Sequence, residues 1–442
     1  MNTDNESNDN TENMSDNDNT LNPIKESEFD RAVMETLGNK IRLTDADADA
    51  ELELYCYVRC GPTDSELLHQ CRGVVFNKEK LVMQAFPYTI EHTQFDVDKI
   101  KEDVSFSSCK FYDSHEGSLI RMFYFNNKWY TSTHRKLNAF NSKWGSKESF
   151  GSSFKKALDY EMTVNKELSN AVPECGGSIL ERFQTTLDTE KQYMFIVRHC
   201  QEHRIVCNQP ENPTVYHVGT FVNGKLVMTE DCNIPHPREH DFKSVDDILE
   251  YVSMVDIRNL QGVICFFPNN KQVKIVNNEY QEYFCARGNE PSIKFRYLQT
   301  RMNSRITEML CKLYPNMLTI FDEIENSIYS IAKHIYQCYV QRFIKKKFVT
   351  VPVEEFSVIK ACHLWHEENR INNRISIQKI IEVLNSQNPT NINRMIKRFN
   401  IEKIEKNKTD ISQYKIGSNK VSPLQLAINP VDNVPRINLV VS

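Results

Sequence analysis

The sequence predicts an α+β protein with antiparallel sheets, followed by an all-helical region. Two observations support this fold class. Short β-branched and aromatic runs separated by turn residues fill most of residues 52–290, with helical patterns only at about 148–169 and 244–253. After about residue 291 the apolar residues recur at helical spacing instead. Strands interrupted by single helices are typical of an α+β domain, and the helical region predicts a second domain.

The predicted elements begin with a short helix and turn over residues 28–46. Runs with strand composition follow, and turn signals such as Asn126-Asn127 and Asn223-Gly224 separate them. Beyond residue 291, Ile328, Ile331 and Ile335 illustrate the apolar face of a predicted helix. The predicted strands cover residues 52–60, 72–76, 80–86, 118–125, 128–133, 193–199, 204–207, 215–222, 225–228, 262–267 and 272–276.

These patterns divide the chain into four predicted parts: an acidic tail (1–24), an α+β domain (28–290), a helical domain (291–400) and a polar tail (401–442). The acidic tail carries a charge of −6 and almost no apolar side chains, a composition that predicts disorder. No run of about 18 apolar residues exists, so we expect no membrane span. The absence of a secretory pattern and 13 irregularly spaced cysteines predict a cytoplasmic protein with reduced thiols.

The overall charge of −5 hides a basic C-terminal region. Residues 294–400 hold 17 Lys and Arg against 9 Asp and Glu, a net charge of +8. This sign suits a nucleic-acid backbone, although cations also favour helix C-termini without any ligand. We predict RNA as a partner, bound by two basic groups: Arg342, Lys345, Lys346 and Lys347 in the first, and Arg394, Lys397 and Arg398 in the second.

Several short stretches in the α+β region occur in a recognisable order. They are QCRGVVF (70–76), QAFPYTIEH (84–92), SHEGSL (114–119), THRKLNAF (133–140), YMFIVRHCQEHRIV (193–206), QGVICF (261–266) and VKIVNNEY (273–280). Their order and spacing resemble the phage-type RNA ligase 1 family of the covalent nucleotidyltransferase superfamily, in particular members found in large DNA viruses. The resemblance covers about residues 50–285.

The resemblance implies a nucleotidyltransferase domain of the ATP-grasp-like ligase type and a three-step reaction. A motif lysine attacks the α-phosphate of ATP, the AMP passes to an RNA 5′-phosphate, and a 3′-hydroxyl displaces it. ATP and Mg²⁺ are the cofactors that the resemblance implies for an active enzyme. The lysine has to be an unprotonated amine, carboxylates hold the metal, and cations neutralise the phosphate oxygens.

Four positions depart from the family pattern. The nucleophile position holds Ser114, and the family's central carboxylate is replaced by Ile196. Gln261 replaces a glutamate, and Val276 replaces one lysine of a pair. Glu116 retains a carboxylate beside the nucleophile position. The departures remove the groups best suited to lysine adenylylation and to Mg²⁺.

What remains is suited to contacts with phosphate. We predict a nucleotide-binding set of Arg72, Glu116, Gly117, Lys136, Gln261 and Lys274, with Arg135 as a further cation. Gly73, Gly117 and Gly262 would allow close backbone approach. The catalytic residue is not assigned; Lys110 and Lys136 are the lysines that could substitute for the missing nucleophile, provided the backbone differs from the family.

Three hypotheses follow. The first is a degenerate ligase-like protein that binds a nucleotide or RNA ends, and the second is an active RNA ligase with an unconventional nucleophile. The third is a non-catalytic scaffold or virion-associated protein. We predict no metal site, because the zinc-ligand residue types at Cys56, Cys60, His69 and Cys71, at His199, Cys200, His203 and Cys207, and at His363 and His366 are better explained by packing.

Overall fold

A computed structural model describes residues 29–416, except residues 85, 105, 107, 199–204 and 229–231, with side chains described as far as Glu405. The predicted acidic tail, His199, Cys200, His203 and the polar tail beyond residue 416 lie outside the described residues. The chain divides into two compact units, unit 1 ending at Glu282 and unit 2 beginning at Tyr283. In the described part of the chain, no helix has the length and apolar character needed to cross a membrane.

Unit 1 contains three sheets built mostly from β-branched and aromatic runs. The first is an antiparallel sheet in the order β1-β2-β3-β4. Its β3 carries a bulge, because Tyr55 pairs with Val74 and Cys56 pairs with Arg72, which leaves Gly73 without a partner. The strands are β1 (Ile41–Asp47), β2 (Leu52–Tyr57), β3 (Arg72–Asn77) and β4 (Lys80–Met83).

The second and third sheets each have five strands, and their orders are β11-β10-β9-β7-β8 and β12-β6-β13-β14-β5. All pairs are antiparallel except β5 with β14, which is parallel. The strands are β5 (Thr89–Thr93), β6 (Lys110–Ser114), β7 (Ser118–Phe125), β8 (Lys128–Ser132), β9 (Lys191–Arg198), β10 (Thr214–Val222), β11 (Lys225–Val227), β12 (Glu239–His240), β13 (Gly262–Phe266) and β14 (Gln272–Val276).

Helices cover the outer faces of these sheets, while the inner faces share one core. Phe154 of α4 packs against the second sheet, and Ile248 of α7 packs against the third. Leu54, Phe123 and Phe266 represent the three sheets in the shared core. The helices of unit 1 are α1 (Arg31–Glu35), α2 (Glu66–Gln70), α3 (Val97–Asp103), α4 (Phe150–Val164), α5 (Lys166–Ala171), α6 (Ile179–Gln184) and α7 (Val245–Met254).

Unit 2 is helical in its described residues, and α11 lies at the centre of its core through Ile328, Ile331 and Ile335. A π-helical turn, Val340–Ile344, follows α11. The helices are α8 (Asn278–Arg287), which crosses from unit 1, α9 (Ile293–Thr300), α10 (Ser304–Leu313), α11 (Leu318–Tyr339), α12 (Val353–Glu368), α13 (Ile377–Asn385) and α14 (Pro389–Ile416).

The predicted fold class, α+β with antiparallel sheets and a helical C-terminal region, is confirmed. The strand predicted at 204–207 is wrong, because residues 205–207 form a bend whose N–H groups bind a side chain instead of a neighbouring strand. Strands β1, β5 and β6 were not recognised in the sequence, since charged and small residues interrupt their β-forming runs.

Candidate functional site

The stretch at 114–118 forms the turn between β6 and β7, at one end of the space between the second and third sheets. Gly117 is required there because a Cβ atom would lie 2.5 Å from Cγ2 of Ile196 and 2.7 Å from the carbonyl oxygen of Val197. The turn is therefore packed directly against β9. The glycine predicted for close approach makes that approach to protein backbone.

The nucleophile position is part of a buried hydrogen-bond network. The Ser114 hydroxyl, whose residue is only 3% exposed, donates to Oε1 of Gln261 at 3.0 Å. Nε2 of Gln261 donates to the Tyr280 hydroxyl at 2.8 Å, and that hydroxyl donates to Oε2 of Glu116 at 2.9 Å. The network links Gln261 and Glu116, both in the predicted nucleotide-binding set, to Ser114 at the nucleophile position. All its members except Glu116 are neutral.

The Glu116 carboxylate closes this network by accepting hydrogen bonds from backbone N–H groups. Oε1 accepts from Ile205 at 2.9 Å, and Oε2 accepts from Val206 at 2.9 Å and from Cys207 at 3.1 Å. Both carboxylate oxygens are thus engaged within the protein. Glu116 acts here as an internal anion that fixes the bend at 205–207.

The four positions that depart from the family pattern lie together. Gly262, which follows Gln261, pairs with Ser114 on one side and with Val276 on the other. Ile196 contacts the turn at Gly117, as described above, and packs into the shared core. We call Ser114, Ile196, Gln261 and Val276 the neutral corner. None of these side chains carries a charge at neutral pH.

Arg72 and Lys274, two of the predicted phosphate-binding cations, both act on Glu91 of β5 in the third sheet. Lys274 forms an ion pair of 3.0 Å with Glu91, its register partner on β5. Lys274 first, and Arg72 to a smaller extent, hold the pKa of the Glu91 carboxyl below its usual value. Arg72 also donates to Thr89 Oγ1 at 3.1 Å. Arg72 and Lys274 are therefore neighbours of one carboxylate that the sequence analysis did not identify.

A cationic cluster of Arg72, Arg121 and Arg135 surrounds His134. Burial, and then these three arginines in that order, lower the pKa of His134 to about 3. The imidazole is thus neutral at pH 7 and adds no positive charge to that of the arginines. The sequence analysis predicted Arg72 and Arg135 as phosphate-facing, and the structure brings them together with Arg121.

Arg121 is fully buried and connects the two segments that carry the other arginines. Its guanidinium donates to the carbonyl oxygen of Gly73, to the carbonyl oxygen of Thr133 at 2.6 Å and to Ser132 Oγ at 3.3 Å. Gly73 occupies the bulge with φ +80°, so its carbonyl has no ladder partner. Burial lowers the pKa of Arg121 to about 9, which leaves it charged at pH 7. Arg121 therefore links β3, which carries Arg72, to the turn at 133–136.

The two candidate substitute lysines are both ion-paired with carboxylates. The Lys110 amine is 2.8 Å from Glu239 at the opposite end of β6, which is about 13 Å from Ser114 along an extended strand. The Lys136 amine is 3.1 Å from Asp45 of β1. An ammonium ion paired with a carboxylate has no free lone pair for attack on phosphorus.

A small open pocket lies beside the turn, lined by Glu116, Gly117, Arg198 and Asn208 among others. His115, next in sequence to the nucleophile position, stacks on Tyr216 with ring centroids 4.4 Å apart. Burial, and then Arg198, lower the pKa of His115 to about 4, so it is neutral at pH 7. Because His115 is neutral, Arg198 is the cation that lines this pocket, and it is not among the residues predicted from the sequence.

The carboxylates near the corner do not fit Mg²⁺. Glu116 is saturated by protein donors, Glu91 is paired with Lys274, and Asp113 accepts from Tyr251 and His240 behind the sheet. Across the described ranges no group of three or more His, Cys, Asp and Glu side chains is arranged to hold a metal ion. Guanidinium groups such as those of Arg72 and Arg135 are suited to contacts with phosphate oxygens.

The first zinc alternative is explained by local hydrogen bonding. His69 Nε2 contacts the carbonyl oxygen of Gly61 at 2.9 Å, and the Cys71 thiol donates to Leu67 O at 3.3 Å. In unit 2, His363 stacks on Phe343 with centroids 3.8 Å apart, and His366 contacts the carbonyl oxygen of Asn373 at 2.6 Å.

In unit 2 the first turn of α12 contacts both predicted basic groups. Arg342 lies 5.2 Å from the ring centre of Phe356, and Arg398 forms ion pairs of 2.8 Å with both Glu354 and Glu355. Arg394 is 3.5 Å from Glu354. The second group, which also includes exposed Lys397, is therefore partly neutralised. The first group, with Lys345, Lys346 and Lys347, lies on an exposed turn.

Comparison with known proteins finds viral relatives. A protein of Invertebrate iridescent virus 6 named immediate-early protein ICP-46 homolog is 28% identical over 371 residues, covering 78% of this chain and 80% of the relative. Its namesake in Invertebrate iridescent virus 3 is 28% identical over 348 residues, covering 75% and 74%. These sources agree with the viral origin that the sequence resemblance implies. No family model matches the chain.

Among solved structures, the chain is similar to ligases. An archaeal ATP-dependent RNA ligase has a TM-score of 0.39 at 9% identity, covering 67% of this chain and 79% of that chain. A protein of Aquifex aeolicus described as an ATP-dependent DNA ligase has a TM-score of 0.37 at 13% identity, covering 70% and 78%. Both are described as ATP-dependent ligases.

Proposed function

We propose that this chain is a ligase-like protein that has lost lysine adenylylation and binds a nucleotide or a phosphorylated RNA end in unit 1. One observation carries the proposal: the Ser114 hydroxyl is buried and bonded to Gln261, which occupies another position where the family pattern expects a charge. A nucleophile must be accessible and activated, and this hydroxyl has neither solvent access nor an adjacent base.

The character of the neutral corner supports the same conclusion. Serine and glutamine replace the lysine and glutamate of the family pattern and contact each other, so two opposite charges are lost together. Replacing a buried ion pair by a neutral hydrogen-bonded pair avoids the desolvation of two charges. Ile196 and Val276 likewise place apolar side chains where the family pattern has a carboxylate and a lysine.

Binding is supported by the cations that remain. Arg72, Arg121 and Arg135 act together on a neutral His134, and Glu91 is a carboxylate that Arg72 faces. Guanidinium groups bind phosphate oxygens in a bidentate manner and keep their charge at neutral pH. We assign the ligand as a nucleoside polyphosphate or the 5′-phosphate of RNA. By extension from the viral relatives, we propose that the chain acts in the host cytoplasm or in the virion.

A labelling experiment tests the loss of adenylylation. The purified chain is incubated with [α-³²P]ATP and either Mg²⁺ or Mn²⁺, and an acid-labile, alkali-stable protein–AMP adduct is sought. We expect none. An adduct that disappears in Lys110→Ala or Lys136→Ala, but persists in the control Lys128→Ala, would establish the active-ligase alternative. Lys128 is a suitable control because it forms a similar ion pair, 3.3 Å from Asp47, outside the predicted site.

A binding experiment tests the second half of the proposal. Fluorescence anisotropy compares the same short RNA with a 5′-phosphate and with a 5′-hydroxyl, in parent protein and in Arg135→Gln. We expect a 5′-phosphate preference that Arg135→Gln reduces, because one phosphate cation is lost. Exposed Arg42→Gln on β1 is the matched control and should keep the preference. Equal and negligible affinity for both RNAs at low salt would favour the scaffold alternative.

A further inference from the structure

The turn that follows the π-helical segment of unit 2 exposes an aromatic side chain beside three lysines. Phe348 is 91% exposed, and Ile344 on the other side of the lysines is 66% exposed. Lys345, Lys346 and Lys347 separate them and are exposed as well. We call residues 344–348 the basic turn. The sequence analysis assigned the lysines to RNA but did not consider Phe348.

The exposure of Phe348 is imposed by its neighbours. Val349 and Val351 both pack against the core of unit 2. Because side chains alternate along extended backbone, anchoring residues 349 and 351 inward directs Phe348 outward. A single exposed apolar residue needs no functional explanation. The combination of a ring that is 91% exposed with three adjacent cations does.

The turn itself is fixed by backbone hydrogen bonds. The Lys345 N–H donates to the carbonyl oxygen of Val340 at 2.9 Å, and the Lys347 N–H donates to that of Gln341 at 2.9 Å. Lys346, between them, has φ +56°, a conformation that ordinarily selects glycine or asparagine. The chain thus keeps a lysine where its backbone is strained, which favours a role for the ammonium group.

We propose that the basic turn is a contact site for single-stranded RNA, in which one base stacks on Phe348 and the lysines neutralise neighbouring phosphates. Stacking on an exposed aromatic ring combined with cations is the general mode of sequence-tolerant single-strand binding. Charge complementarity selects a polyanion, because the segment from Val340 to Val353 contains four Lys and Arg and no Asp or Glu. Glu354 and Glu355, which follow, are engaged by Arg398.

An anionic membrane fits this site less well. Stable membrane association requires a broad apolar helix face or more than one deeply buried anchor, and a single phenyl ring supplies too little apolar area. The stacking face of one base matches that ring in size. The site lies in unit 2 and does not depend on the phosphate site proposed for unit 1, so either proposal can fail alone.

The test measures binding of the full-length chain to a 5′-hydroxyl single-stranded RNA of about a dozen uridines, which removes any contribution from 5′-phosphate recognition. Phe348→Ala should weaken binding about tenfold, as expected for loss of one base–aromatic stack. Phe348→Trp should retain affinity. Ile371→Ala is the matched control, since Ile371 is 82% exposed elsewhere in unit 2, and it should change affinity less than twofold.

Salt dependence separates stacking from charge. The triple variant Lys345→Gln, Lys346→Gln and Lys347→Gln should reduce the slope of log K against log salt by about 2, since each phosphate contact on a single strand contributes about 0.7. Phe348→Ala should lower the affinity and leave that slope unchanged. Equal affinities for Phe348→Ala and Ile371→Ala would overturn the proposal. So would Phe348-dependent binding to vesicles of equimolar phosphatidylserine and phosphatidylcholine without RNA binding.

Discussion

Restoring the missing charges at Ser114 and Gln261 tests the buried contact on which the proposed function depends. The two residues are 3% and 9% exposed, and the Ser114 hydroxyl lies 3.0 Å from Oε1 of Gln261. Ser114→Lys would place an ammonium group in this site without a counterion. Uncompensated buried charges cost roughly 3–5 kcal/mol, so we expect the single variant to lose about 4 kcal/mol of unfolding free energy.

Adding Gln261→Glu should recover part of that loss. Two unit charges about 4 Å apart attract by about 4 kcal/mol at an effective dielectric constant of 20, and desolvation of the new carboxylate offsets some of this gain. We expect Gln261→Glu alone to cost about 2 kcal/mol, because a carboxylate cannot donate to the Tyr280 hydroxyl, whose own proton is engaged by Glu116. The double variant should then cost about 3 kcal/mol, a coupling energy of about 3 kcal/mol.

Urea unfolding of unit 1 provides the measurement. Trp365 is the tryptophan of unit 2, so a Trp365→Phe background leaves only Trp129 and Trp144, both in unit 1, as fluorescent reporters. The exposed pair Lys128–Asp47 supplies the control cycle, with an expected coupling below about 1 kcal/mol. A Ser114–Gln261 coupling below about 0.5 kcal/mol, or a Ser114→Lys variant as stable as the parent, would refute the buried contact.

Three further predictions concern single side chains. Glu116→Gln should cost about 2 kcal/mol of unfolding free energy, because the glutamine amide nitrogen would face a backbone N–H donor. It should also speed hydrogen exchange at residues 205–207, and unchanged exchange would contradict the role of Glu116 as the acceptor for these N–H groups. His115→Phe should reduce the loss of stability on acidification. Burial lowers the pKa of His115 in the folded protein from 6.5 to about 4, so the stability of the parent protein falls as the pH drops from 6.5 towards 4. The difference in melting temperature between pH 7 and pH 5 should therefore be smaller in the variant. Lys346→Asn should raise the stability measured in thermal melts by up to about 1 kcal/mol and weaken RNA binding. A loss of both stability and binding would show that Lys346 serves only the fold.

The fold class could be predicted from the sequence because strand and helix periodicities are local properties. The failure at 204–207 has an equally clear cause. The run RIVC has strand composition, but strand formation depends on a partner, and the N–H groups of residues 205–207 are bound by Glu116 instead. Strand propensity depends on the local sequence, so it does not reveal hydrogen bonds to a side chain about 90 residues away.

The candidate site was only partly predictable for the same reason. The ordered motifs located Ser114 and Gln261, but their contact depends on the register of β6 with β13. Glu91 was missed because it pairs with Lys274, 183 residues away, across the parallel strands β5 and β14. Arg121 did leave a signal, since it is the one charged residue in the apolar run SLIRMFYF. A lone charge in a strand of that composition indicates a buried polar contact.

The distribution of charge around the candidate site favours binding over transfer. Acceleration of a reaction requires interactions that are stronger in the transition state than in the bound ground state, and in adenylyl transfer these come from a neutral amine, a metal and cations at the developing charge. The neutral corner contributes neither of the first two, whereas Arg72 and Arg135 remain, and in the proposed function they would contact a ground-state phosphate as readily as a transition state. An arrangement with cations but without a nucleophile or metal ligands retains uniform binding and loses the terms specific to catalysis. This is the physical content of the proposal that unit 1 recognises a phosphate without transferring a nucleotide.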